Sequence, residues 1–153
     1  DLHVIVHSFP TRRSSDLIAH GTITTPAGMH FAERLRIVHQ EATALFEQYA
    51  PDAVAIEKLY FARNVTTGLK VAEARGVIAL AAAHSHRPIG EFSPLEVKNA
   101  VVGYGKATKQ QVQEMVRRLL NLDAPPRPDD AADALALAIC QIHAGRMSNA
   151  IRG

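Results

Sequence analysis

The chain has 153 residues, 17 Lys and Arg against 15 Asp and Glu, and a net charge of +2. Its 47% hydrophobic content is enough for one domain's core and excludes wholesale disorder. A single cysteine, Cys140, excludes a disulfide framework and a cysteine-built zinc site, and no apolar run reaches the length of a membrane span. A reducing cytoplasm is the expected compartment. The charge balance permits a nucleic-acid partner without requiring one.

Residues 1–17, DLHVIVHSFPTRRSSDL, differ in character from the rest. They lack the basic start, apolar centre and small-residue cleavage site of a secretory signal. Arg12 and Arg13 read either as a basic arm for DNA or as part of a polar tail. A third reading takes precedence: the string resembles the translation of a short-read sequencing adaptor, with Val4, Ile5 and Val6 at its variable index. On that reading residues 1–17 are non-native, a domain occupies 18–147 and a tail 148–153. The natural N-terminus would then lie upstream. Asp1 and Asp16 cancel Arg12 and Arg13, so the +2 survives the subtraction.

Residues 17–25 are β-branched and alternate weakly, which predicts a short strand, and Pro26 and Gly28 punctuate it. From 30 to 49, Phe31, Leu35, Val38, Ala42, Leu45 and Phe46 recur at helical spacing, predicting an amphipathic helix. The apolar run 53–56 leads into Glu57 and suits a central strand covered on both faces. An Ala-rich helix over 66–84, a strand over 89–92 and a short helix follow, the last opened by Ser93 with Glu96 at the capping-box position. Gly103, Tyr104 and Gly105 form a loop. A strongly amphipathic helix over 108–121 turns Val112, Met115, Val116, Leu119 and Leu120 inward. Pro125, Pro126 and Pro128 precede a last helix from 129 to about 145. Strands alternating with helices indicate an α/β domain with a mixed sheet.

Glu57 ends an apolar strand at the edge where α/β sheets gather their sites, although a Glu there also serves simply to terminate a strand. Asp129, Asp130 and Asp133 open the last helix. Asp130 and Asp133 share a face, and carboxylates at a helix N-terminus are also ordinary capping groups. The Ala- and Leu-rich continuation predicts a buried helix whose first-turn acids face the sheet. Acids that converge in this way repel one another, require a cation, and offer the hard oxygen ligands that suit Mg2+.

Three blocks carry a family resemblance: DAVAIEKLYFARNVTTGLKVAEARGV, VVGYGKATKQQVQEMVRRLL and DDAADALALAI. Together, from about 19 to 140, they resemble the RuvC family of bacterial Holliday junction resolvases. The resemblance implies an RNase H-like fold and a homodimer that nicks two strands of a four-way DNA junction symmetrically. It also implies a branch-migration complex with RuvA and RuvB, and two Mg2+ ions per site with Mn2+ as a substitute. Glu57, Asp130 and Asp133 match three of the family's four metal-binding carboxylates. The fourth belongs to a G-I-D-P-G-like first strand, and no such motif occurs here. Asp1 and Asp16 lack its flanking residues, and His7 is assigned no role. The fold is therefore expected with its first strand missing or replaced, and the chain as written is expected to cleave poorly.

Tyr60 and Phe61 read as core aromatics or as a base-stacking wedge, and the resemblance supports Tyr60 in the wedge with Phe61 beside it. Lys58, Arg63 and Asn64 are candidates for nearby phosphates. Lys98, Lys106 and Lys109 flank the glycine loop as surface charge or as DNA contacts. The resemblance favours Lys98 and Lys109, with Lys109 aiding catalysis at the scissile phosphate. Arg117 and Arg118 extend the basic face. Gly68, Ala72, Ala74, Gly76, Ala79 and Ala81 to Ala83 suit tight packing, and the resemblance adds a dimer interface on that helix. The eight histidines show no metal-ligand spacing. Another RNase H-like nuclease and a non-catalytic junction-binding module are the competing readings.

Overall fold

Short strands and longer helices alternate along the chain, in a computed structural model that describes residues 2–4, 17–59 and 65–152. In chain order they are β1 (Leu2–Val4), β2 (Gly21–Ile23), α1 (Phe31–Tyr49), β3 (Val54–Glu57), α2 (Val65–His84), β4 (Ile89–Phe92), α3 (Pro94–Val102), α4 (Lys109–Leu119) and α5 (Asp129–Arg152). The strands form two ladders. β1 pairs antiparallel with β2, and β3 pairs parallel with β4 in the register Val54–Ile89 to Glu57–Phe92. Both strand directions of the expected mixed sheet are therefore present, in separate two-stranded pieces.

The local chemistry explains most element boundaries. At α3, the Ser93 hydroxyl accepts from the Glu96 amide while the Glu96 carboxylate accepts from the Ser93 amide at 2.7 Å. The same reciprocal box opens α4, between Thr108 and Gln111. Each box satisfies two amides that a helix start leaves without intrahelical partners. Gly103 ends α3 at φ +94°, a conformation in which a Cβ would be strained. α5 runs past the predicted end near 145, because Gly145 alone is a weak breaker and no proline follows it.

Two hydrophobic clusters hold these elements. Val97, Val101, Val112, Val116, Leu120, Leu135 and Ile139 bring α3, α4 and α5 together, with Leu135 and Val116 fully buried. Val38, Ala42 and Phe46 of α1 meet Ile78, Ala81 and Ala82 of α2, with Ile23, Val54, Ile56 and Ile89 packed in. β4 joins the clusters, since Ile89 belongs to the second and Phe92 packs on the first. Gly90 lies between them. A Cβ there would run into the end of the Gln141 side chain and come within 2.9 Å of the Phe92 ring, so glycine lets α5 lie close to β4 without displacing either.

Several packing expectations change. β3 is half-buried and pairs only with β4 among the described residues, where the apolar run suggested a central strand covered on both faces. Its four residues lean on helices instead of on a second ladder. Phe31 and Leu119 point outward, because burial in α1 begins at Val38 and Leu119 closes the last turn of α4. The α5 acids are also not buried. Ala131, Ala132, Leu135 and Ala136 take the inward face of that helix, which leaves Asp129 and Asp133 about half exposed at its rim.

Candidate active site

Glu57 closes β3, where the ladder ends and the charge of Asp133 on α5 acts on it. The residue is exposed, yet the protein around it and the negative charge of Asp133 hold its carboxyl above the usual carboxylate range, desolvation being the larger cause. Glu57 and Asp133 thus share one electrostatic neighbourhood, although they come from opposite clusters.

Lys109, the first residue of α4, stands at the same place. Its ammonium lies 3.3 Å from Asp133 Oδ2 and 3.8 Å from Asp129 Oδ2. Its pKa is raised, chiefly through Asp133 and further by the fields of Asp129 and Asp130. Asp129 is also held by Arg127 at 2.6 Å. The structure therefore brings Glu57, Asp130, Asp133 and Lys109 into one locale and adds Asp129, which the spacing had marked only as part of a helix start.

The donor set fits a hard divalent cation. Every candidate ligand is a carboxylate oxygen, and a cationic group, the Lys109 ammonium, is already drawn among them. Among the described residues no group of three or more Asp, Glu, His or Cys side chains is drawn together closely enough to hold a metal ion as they stand. Glu57, Asp130 and Asp133 are the candidate ligands. β1 reads Leu-His-Val and brings no acid to the site.

The proposed DNA contacts divide into three groups. Tyr60, Phe61, Arg63 and Asn64 lie outside the described residues. Lys106 is exposed in the loop before α4 and Lys98 is half-buried on α3, and neither forms an ion pair with the site carboxylates. Lys58 is engaged by Glu96 at 3.3 Å, while Arg117 and Arg118 share Glu114. These three cations are therefore partly neutralised by neighbours on the protein.

Sequence reading missed Arg75. From α2 it donates Nε–H to the Glu57 carbonyl at 2.9 Å and ion-pairs with Glu91 of β4. No local spacing signals this, since Arg75 lies 18 residues from Glu57 and 16 from Glu91.

Comparison with known proteins places this geometry. The family model for crossover junction endodeoxyribonuclease RuvC matches residues 3–141. The crossover junction endodeoxyribonuclease RuvC of Syntrophomonas wolfei is 52% identical over 132 residues, 86% of this chain and 77% of that protein. Its Thermosipho melanesiensis counterpart is 53% identical over 123 residues, 80% of this chain and 78% of that protein. Among solved structures, Thermus thermophilus RuvC superposes with a TM-score of 0.84 at 31% identity, covering 95% of this chain and 88% of that one. The same protein in complex with a Holliday junction substrate gives 0.83 at 33%, covering 87% and 81%. The α/β arrangement is thus the RNase H-like one. Because that family model spans residues 3–141 and relatives about half identical cover most of the chain, the chain belongs to the RuvC family.

Proposed function

We propose that the chain is a structure-selective endonuclease that resolves four-way DNA junctions during recombination and repair, by metal-assisted hydrolysis of phosphodiester bonds. One observation carries this reading most directly: Lys109 of α4 pairs with Asp133 of α5 at 3.3 Å, and the charge of Asp133 in turn acts on Glu57 at the end of β3. The resolvases that share half of its sequence support it.

Glu57, Asp130 and Asp133 would hold Mg2+, two ions per site, with Mn2+ as a substitute. When bound, the metal would lower the pKa of the attacking water and steady the leaving oxygen. The protein's own groups supply placement and charge. The carboxylates fix a negative, oxygen-lined edge, and Lys109 offsets the charge that grows on the phosphate. Lys98 and Lys106 track the backbone of the arms, and Tyr60, with Phe61, Arg63 and Asn64, opens the crossover. A homodimer acts on two strands at once, with the face of α2 that exposes Leu69 and Leu80 as its interface. The protein works in the bacterial cytoplasm beside RuvA and RuvB. No helix among the described residues is long and apolar enough to cross a membrane.

Residues 1–17 are the exception. We read them as adaptor translation ahead of a domain at 18–147 and a tail at 148–153. Nothing in them supplies the family's first-strand acid in its G-I-D-P-G setting, so this chain is deficient in cleavage. The test uses a labelled four-way junction and a linear duplex, with and without Mg2+. The chain is expected to bind the junction in preference to the duplex and to nick it weakly. A version given an acid-bearing first strand is expected to cut symmetrically. Vigorous cutting by the chain as it stands would refute the deficiency. Binding without cutting by both would leave a junction-binding module as the correct function.

A further inference from the structure

A ligand carboxylate is placed only as well as the backbone beneath it. Glu57 occupies the last position of a four-residue strand that has one partner, β4, among the described residues. The Lys58 amide donates to the Phe92 carbonyl at 2.9 Å. In a trans peptide the C=O and N–H point in opposite directions, so the Glu57 carbonyl points away from β4. No ladder among the described residues satisfies it there.

Arg75 does. Its Nε–H donates to that carbonyl at 2.9 Å, and Nη2 of the same guanidinium ion-pairs with the Glu91 carboxylate. Glu91 stands opposite Ile56 in the β3–β4 register, one residue before the partner of Glu57. A planar guanidinium fixes both bonds in one geometry, which a flexible ammonium does not. The backbone of Arg75 is itself anchored, because its neighbours Ala74 and Ile78 are buried. One side chain thus ties α2, β3 and β4 together where Glu57 leaves the sheet.

We propose that Arg75 is a positioning residue for Glu57: through the Glu57 carbonyl and Glu91 it holds the end of β3 so that the Glu57 carboxylate stays aimed at the acids of α5. Arg75 touches neither the carboxylate nor the reacting atoms. The proposal rests on the functional reading above, in which Glu57 holds a divalent metal.

The experiment titrates Mn2+ into the full chain and follows free ion by electron paramagnetic resonance. Thermal melting and junction binding in EDTA are recorded alongside. Arg75→Ala is expected to weaken Mn2+ affinity roughly tenfold, in the range found for residues that orient ligands. Its melting profile stays cooperative, its junction binding is unchanged, and hydrogen exchange at the Lys58 amide is faster. Arg75→Lys restores part of the affinity, and Glu91→Gln loses a smaller factor because the carbonyl bond remains. Unchanged Mn2+ affinity in Arg75→Ala, or a loss of junction binding with metal affinity intact, overturns the proposal. If Arg75→Ala fails to fold, Glu91→Gln decides, and full affinity in that variant is then the overturning result. A parent chain that takes up no Mn2+ removes the metal reading itself, a result distinct from parent and variant binding equally.

Discussion

The half of the molecule built from α3, α4 and α5 is the more closed, with Leu95 and Leu119 as its exposed leucines, whereas the half built from α1, α2 and β3 is the more open and leaves Phe31, Leu69, Val71 and Leu80 in solvent. In the first, α3 and α4 start with reciprocal capping boxes, and α5 buries a continuous Ala and Leu face between them. In the second, α2 carries small and apolar residues on every side, so packing on α1 still leaves Leu69, Val71 and Leu80 outside. A strongly one-sided helix has a single buried face, while an apolar all-round helix is satisfied only when more than one face is covered. The candidate site belongs to neither half. Glu57 comes from the open half, and the aspartates and Lys109 come from the closed one. Its geometry therefore depends on how the halves are registered across β4.

The strongest way to break this comparison is to remove one leucine from each half. Leu135 is fully buried in α5, and Leu135→Ala is expected to lower stability by about 2–5 kcal/mol, as loss of a core leucine does. Leu80 on α2 is half exposed, and Leu80→Ala is expected to change stability by no more than ~0.5 kcal/mol at low protein concentration. Urea denaturation of the two variants measures both. Equal losses would mean that α2 is covered as fully as α5.

A smaller effect is expected at the seam itself. In Gly90→Ala the new methyl meets the end of the Gln141 side chain, which can swing away, and the Phe92 ring, which is held on the first cluster. Overpacking of this kind costs about 1–3 kcal/mol. The same denaturation experiment measures it, and a neutral substitution would show that α5 and β4 are less tightly registered than the structure has them. Smaller again are the caps. Thr108→Ala and Ser93→Ala each remove a side-chain acceptor at a helix start, and each is expected to cost about 1 kcal/mol. Because α4 begins at Lys109, fraying from Thr108→Ala also loosens the Lys109–Asp133 pair. Ser93→Ala has no such consequence for Lys109.

What could be read in advance follows the same division. Local rules placed α3 and α4 nearly to the residue, because a capping box is a statement about four neighbouring residues. The positions of Glu57 and of the aspartates were legible as well, since a charged residue that closes or opens an apolar run has few explanations. Exposure was not legible. AVAI reads the same whether its sheet has two strands or five, and the acids at the start of α5 look buried until the inward face of that helix is known to be alanine. Arg75 was invisible for another reason. Its partner is a backbone carbonyl, which every residue carries and no sequence pattern marks.

The finest distinction between capped and uncapped regions is expected in acid. The Ser93 amide and hydroxyl bond to the Glu96 carboxylate, Lys58 adds a weaker attraction, and together they lower its pKa from 4.5 to about 2. A carboxylate with a depressed folded pKa contributes stability above its unfolded pKa. That contribution fades as pH falls from 4.5 and is gone once the folded group protonates near 2. A carbon-detected NMR titration of Glu96 reads this directly. Lys58→Ala is expected to raise the Glu96 pKa slightly and Ser93→Ala to raise it further, while the Ser93 amide still keeps it below 4.5. A larger rise in Lys58→Ala than in Ser93→Ala would make the ion pair to β3, and not the cap, the dominant hold on Glu96. The start of α3 would then be secured from the open half of the molecule and not by its own sequence.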